Sequence, residues 1–263
     1  NLKGLIEIYI AYCRKKMKRT YRNVTSFVGL SPAFLKYATT IAEREPTSKD
    51  EVIPIGYPDY DMEISKEQFE KIWGKYKLSE SDFIIAFTGN FGRQYTFKSI
   101  VEAAQILKKN DRIKFVLCGV GEQFEKIKKV CPENVIFPGW IEKEMIISLL
   151  KYSNIGIAPY INSFNYRNNT PNKFGEYLAA GLPILVGVEG RMKEFLSDNN
   201  CGYYYADGED LAKKIIKIYN SNCYEIMRKN ARQLYADEFF IGTINQKLKS
   251  HICKIAMEYD QNV

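Results

Sequence analysis

Apolar residues along the chain fall into short runs, separated by longer stretches in which they recur every three or four positions. The runs at 24–30, 52–55, 83–88, 113–118, 135–137, 155–159, 183–186 and 202–205 are short and bounded by turn residues, and they predict strands. Between them, 32–44, 66–76, 97–109, 123–130, 143–152, 171–180, 192–197 and 210–219 carry the spacing of amphipathic helices. Alternation of this kind predicts parallel strands joined by right-handed helical crossovers, an α/β, Rossmann-like doubly wound sheet. Such sheets bind ligands outside the carboxyl ends of their strands, beside helix N-termini.

The segment 45–60, EPTSKDEVIPIGYPDY, is rich in Pro, Ser and Asp and reads as a linker. Residues 1–47 hold only a helix, a strand and a helix, too little for a separate core, and read as the end of a preceding lobe. Residues 48–223 carry the sheet domain, and the helices of 224–263 are expected to pack back on that lobe. The first helix places Leu2, Leu5, Ile6, Tyr9 and Cys13 on one face and closes with Arg14, Lys15, Lys16, Lys18, Arg19 and Arg22. The chain starts at Asn1, and the expectation is that it lacks its true start.

With 263 residues, 46% of them hydrophobic, a sizeable core is affordable. No run approaches the roughly 18 apolar residues of a membrane span. The six cysteines (Cys13, Cys118, Cys131, Cys201, Cys223, Cys253) include no C-x-x-C pair, which predicts reduced thiols and a cytoplasmic setting. A net charge of +7 suits phosphate-bearing substrates, lipid head groups or nucleic acid, and a solvated basic surface accounts for it equally. Nucleic acid gains no support, because no RNA-recognition motif or zinc finger is present. The basic end of the first helix suits a peripheral contact with the inner face of a membrane.

His251 is the one histidine and reads as a surface residue near the end of the chain, which leaves no histidine-based nucleophilic site. Glycine-rich turns follow strands instead. In FTGNFGR, Gly89, Asn90 and Gly92 precede Arg93; in LCGVGE stand Gly119 and Gly121. Such glycines let backbone approach a phosphate, although turns also use them for purely structural reasons. Arg93 adds a cationic fork suited to diphosphate oxygens. In FPGW, Trp140 reads first as core packing. In TPNKFGEYLAAGLPILV, Thr170 suits an N-cap and Pro171 the first helical position, and Gly181 and Pro183 stop the helix. Lys173 and Glu176 share one helix face, opposite the stripe of Phe174, Tyr177 and Leu178. A surface salt bridge is the plain reading of that pair. The alternative is that the helix end and Lys173 hold phosphate while Glu176 accepts hydrogen bonds from a ribose diol.

Seven segments, VGLSPAF, VIPIGYPD, TGNFGR, FVLCGVGE, VIFPGW, NIGIAPY and PNKFGEYLAAGLPIL, occur in this order. On them, residues 24–258 resemble the C-terminal, donor-binding half of a retaining GT-B glycosyltransferase, of the large group that includes many bacterial polysaccharide and lipopolysaccharide enzymes. The resemblance implies transfer of a sugar from a nucleotide-diphosphate-sugar donor to a glycan or lipid-linked acceptor. Arg93 would then be a diphosphate cation, Gly139, Trp140 and Ile141 would contact the base, and the helix from Pro171 would receive the diphosphate. Glu176 would bind the ribose, with Tyr160, Thr170 and Asn172 counted among the donor-binding residues. Arg93, Lys173 and Glu176 are the implied catalytic residues. No metal or other cofactor is implied, since a cation and a helix dipole neutralise the leaving group.

The chain departs from the family pattern at Asn168, where many members have glutamate, and at Lys98, displaced from the usual lysine position, for which Lys173 is the substitute. An acceptor lobe, missing or supplied by a partner subunit, is also expected. The competing reading is a non-catalytic nucleotide-sugar-binding lobe acting with that partner. A GT-B epimerase would need paired carboxylates and a histidine that the pattern lacks.

Overall fold

The computed structural model describes residues 2–59 and 63–260. The chain begins with α1 (Leu2–Arg22), β1 (Val28–Gly29), α2 (Pro32–Ala42), β2 (Glu51–Val52) and α3 (Lys66–Trp73). It continues through β3 (Phe83–Thr88), α4 (Lys98–Leu107), β4 (Ile113–Cys118), α5 (Phe124–Val130), β5 (Val135–Gly139), α6 (Lys143–Tyr152) and β6 (Ile155–Ala158). Next come α7 (Phe164–Arg167), α8 (Asn172–Ala179), β7 (Ile184–Val186), α9 (Arg191–Asp198), β8 (Gly202–Tyr204) and α10 (Gly208–Tyr219). The last helices are α11 (Tyr224–Leu234) and α12 (Ile241–Asp260), with a π turn at Tyr235–Phe239 between them. Two compact units result: residues 57–240, and residues 1–56 with 241–263. These limits differ from breaks at 47/48 and 223/224, because α11 is bound within the larger unit: Arg228 Nε donates at 3.3 Å to the carbonyl of Gly181, just past the end of α8.

The larger unit is built on six parallel strands in the order β5-β4-β3-β6-β7-β8. Every residue of β3 and β6 is buried, which is why FIIAFT reads as an uninterrupted apolar run: a parallel sheet is covered on both faces. The expected α/β doubly wound sheet is therefore present. Chain order reverses between β3 and β6, so the connections leaving their carboxyl ends run to opposite sides and leave a crevice there. Local chemistry sets the helix starts. Ser65 and Gln68 form a reciprocal capping box at α3, and the Asp207 carboxylate accepts from Asp210 N at 2.9 Å at α10. The short α7 has no counterpart in the apolar pattern; Ser163 starts it by accepting from Tyr166 N at 3.5 Å.

In the smaller unit the expected strands at 24–30 and 52–55 shrink to Val28–Gly29 and Glu51–Val52, paired in parallel only with each other. The reason is Asp50, which takes the Phe27 N–H at 2.8 Å and so withdraws that backbone from a ladder. Arg44 grips the same carboxylate at 2.6 and 2.7 Å, and Thr47 N adds a bond at 2.7 Å. The guanidinium, ahead of the backbone donors, holds the Asp50 carboxyl far below the usual carboxylate range. His251 is not on the surface. It is buried, with Nδ1 2.7 Å from Glu51 and Nε2 sharing a hydrogen bond of 2.9 Å with Ser26 Oγ, which ties α12 to the β2 strand and to the loop before β1. Conversely, α1 buries none of its residues, and Leu2, Leu5 and Tyr9 stand 76%, 64% and 67% exposed.

Candidate functional site

At the strand-order reversal, the turn after β3 (Thr88, Gly89, Asn90) meets the end of β4 (Cys118, Gly119) around a cavity of about 350 Å³. The turns nest because they lack side chains: a Cβ on Gly119, held at φ +126°, would strike the Gly89 carbonyl. Gly89 N donates to Cys118 O at 3.0 Å and Gly119 N to Gly139 O at 2.7 Å, so the three strand ends are tied together. Trp140 and Ile141 form the rim beyond β5, with Ile146 of α6 beside them. Trp140 is 73% exposed, which replaces core packing with a free indole face over the cavity.

The opposite wall is α8. Its first helical residue is Asn172, and Pro171, at φ −64° and ψ 159°, occupies the N-cap position. Thr170 is therefore not the cap. It lies one residue earlier, buried, with its N–H on Asn169 Oδ1 at 2.9 Å. No side chain caps α8, and Asn172 and Lys173 of its first turn line the cavity, which leaves there an open helix end suited to an anion.

Lys173 projects from this first turn and is only 8% exposed. Its ammonium lies 4.8 Å from the centre of the Phe87 ring and 5.6 Å from that of Tyr95. A Cβ on Gly89 would fall 2.5 Å from Lys173 Nζ, so that glycine makes the room for it. Among the described residues Lys173 has no hydrogen bond or ion pair, and the surface salt bridge with Glu176 does not form. Burial lowers its pKa to about 8, against the opposing pull of Glu176 and Cys118. Glu176 lines the same cavity and accepts from Thr88 Oγ1 at 2.8 Å and from Tyr57 Oη at 3.2 Å. Burial pushes the Cys118 thiol far up, so it forms a neutral patch of wall.

The structure thus brings Gly89, Asn90, Gly119, Trp140, Ile141, Asn172, Lys173 and Glu176 together. Other sequence-derived positions lie outside the cavity. The Arg93 side chain is 90% exposed and donates to Glu122 at 2.9 Å. Lys98 pairs with Glu102 at 3.6 Å, and Asn168 donates to Phe164 O at 2.8 Å. Gly92 packs against Gln94, Gly121 against Asn90, and Gly139 supports Gly119 from behind. Tyr160 is buried, stacked at 4.6 Å on Tyr166. Sequence reasoning missed Thr88, Cys118, Ile146 and Tyr57. The first two adjoin the flagged glycines, whereas Tyr57 meets Glu176 across 119 positions, a distance no local pattern encodes.

A crevice at the switch point of a parallel sheet, with glycine turns on one side and an open helix end on the other, places the larger unit among doubly wound, Rossmann-like α/β lobes. The chain belongs to the glycosyl transferases group 1 family, whose model matches residues 68–234. Its fold is that of the C-terminal half of a GT-B glycosyltransferase. It is 22% identical over 207 residues to the alpha-monoglucosyldiacylglycerol synthase of Acholeplasma laidlawii, covering 72% of this chain and 50% of that protein. It also resembles the crystal structure of Anabaena HepE in complex with UDP-glucose, with a TM-score of 0.69 at 15% identity over 86% of this chain and 63% of that one. The sucrose-phosphate synthase of Thermosynechococcus elongatus gives a TM-score of 0.70 at 17% identity, over 92% and 61% of the two chains. The chain thus spans about half the length of the curated relative. Among the described residues no helix is long and apolar enough to cross a membrane.

Proposed function

We propose that this chain is the donor-binding half of a retaining glycosyltransferase that moves a sugar from a nucleotide-diphosphate-sugar to a glycan or lipid-linked acceptor in surface polysaccharide synthesis. The observation that carries the reading is the convergence of the α8 N-terminus, Lys173 and Glu176 on one cavity. In it, the diphosphate lies against the first turn of α8 and Lys173, Glu176 accepts hydrogen bonds from the ribose, and Trp140 stacks on the base. As the donor bond breaks, charge builds on the diphosphate, and Lys173 with the helix end stabilises it without a metal. Arg93 belongs to the loop beside this cavity and joins the diphosphate only by leaving Glu122.

Uridine diphosphate is the first nucleotide to try, since HepE was crystallised with UDP-glucose. The lipid-directed name of the Acholeplasma relative and the cationic end of α1 support a peripheral contact at the cytoplasmic face of a membrane. Calorimetric titration with UDP tests the site. Glu176→Ala is expected to weaken binding by about tenfold or more, the value of a hydrogen bond to a charged group; undiminished affinity would remove Glu176 from the site. A non-catalytic donor lobe serving a partner subunit is the second reading. It predicts UDP binding with no sugar transfer.

A further inference from the structure

We infer that Tyr57 is a positioning residue for the ribose-binding carboxylate, held in register by Arg232 and Tyr235 from the far end of α8. The inference rests on the reading of Glu176 as the ribose ligand. It starts from a strap, residues 57–59, that is held at both of its ends. Tyr57 N donates to Phe239 O at 2.7 Å, and Tyr57 O accepts from Tyr235 Oη at 3.0 Å. Two residues on, Asp59 is gripped by both terminal nitrogens of Arg232, at 2.9 and 3.0 Å. Arg232 also donates to Ala179 O, at the carboxyl end of α8. One guanidinium therefore fastens the strap and the site helix to each other.

The strap closes tightly over α8 at Gly175, where a Cβ would stand 3.1 Å from Tyr57 Cβ. That approach brings Tyr57 Oη to Glu176 Oε1 at 3.2 Å, while Thr88 Oγ1 holds Oε2 at 2.8 Å. The last torsion of a glutamate has a broad, shallow profile, so the carboxylate plane is set by the donors that hold its oxygens. Donors on separate oxygens fix that plane. A diol is gripped by two hydrogen bonds whose directions the plane sets, so its recognition depends on Tyr57 without Tyr57 touching the sugar.

The experiment is a comparison of the affinities of UDP, 2′,3′-dideoxy-UDP and inorganic pyrophosphate for the full chain and for Tyr57→Phe, with Arg232→Lys as a second variant. The native chain should prefer UDP to the dideoxy analogue. In Tyr57→Phe that preference should fall by about tenfold, the worth of a charged hydrogen bond, with pyrophosphate affinity unchanged. Arg232→Lys keeps the charge but loses the two-pronged grip, and should lower the preference in the same direction by a smaller factor. A native chain that does not distinguish UDP from the dideoxy analogue would overturn the ribose reading itself. A native preference that survives intact in Tyr57→Phe overturns the role of Tyr57 alone. Equal losses for all three ligands would mean that Tyr57 merely supports the fold, and would overturn the inference as well.

Discussion

Lys173→Met separates what the buried cation does for binding from what it costs the fold. The ammonium is 8% exposed and its pKa falls from 10.5 to about 8, chiefly through burial. The unfolded chain therefore holds the proton more tightly than the folded one. Below about pH 8 both states are protonated and the full penalty weighs on the native state. It shrinks as pH rises from about 8 to 10.5 and vanishes above. At 1.36 kcal/mol per pH unit the gap amounts to about 3 kcal/mol. The faces of Phe87 and Tyr95 return roughly 1 kcal/mol of it.

Methionine keeps the stem and its contact with the rings, so the ligand-free variant should be about 2 kcal/mol more stable than the native chain at pH 7. Urea unfolding followed at pH 7 and again near pH 10 measures this, and the advantage should diminish at the higher pH. In the same variant UDP should lose most of its stabilising effect, since a ligand stabilises only in proportion to its binding. A bound diphosphate favours the charged amine. Native affinity should thus be constant below pH 8 and decline above it, with proton uptake visible as buffer-dependent heats. A variant less stable than the native chain at pH 7, or a stability gap that ignores pH, would refute the account of Lys173 as a strained, waiting cation.

Two further outcomes are expected. Trp140→Ala should leave unfolding stability within about 0.5 kcal/mol of native, because the indole is 73% exposed, yet lower UDP affinity by about tenfold or more through lost stacking, read by calorimetry. Asp50→Asn should destabilise the smaller unit by about 2 kcal/mol at pH 7, since it removes the charged acceptor of two Arg44 hydrogen bonds. Because the native carboxyl is held below its unfolded value of 3.8, that difference should be present at neutral pH and fade as pH falls below about 4, in urea titrations across that range.

The sheet was legible in the sequence because its strands are buried on both faces: a run such as FIIAFT needs no partner to declare itself. The turns were legible because Gly89 and Gly119 are required by backbone approach, which is a local demand. What escaped depends on distant chain. Ser26, Glu51 and His251 look unrelated until α12 returns to them, and Tyr57 reads as linker until the turn after α11 folds over it. Arg93 shows the opposite case. Glu122 pairs with it from a neighbouring turn, and side-chain pairing is invisible to a motif. At α8 the cap falls one residue later than expected, because Pro171, at ψ 159°, holds the extended backbone of an N-cap and not that of a first helical residue.

Six of the eight residues of α8 are buried, among them both neighbours of Glu176. The helix is therefore committed to the core along nearly its whole length, and substitutions made there to retune the ligand are also repacking events. Trp140, by contrast, stands on an exposed rim whose replacement disturbs little packing. On the proposed reading, a redesign of base preference can proceed along that rim, residue by residue, while the anchoring of the diphosphate stays fixed. The two properties are mechanically uncoupled, and only the first of them is easy to change.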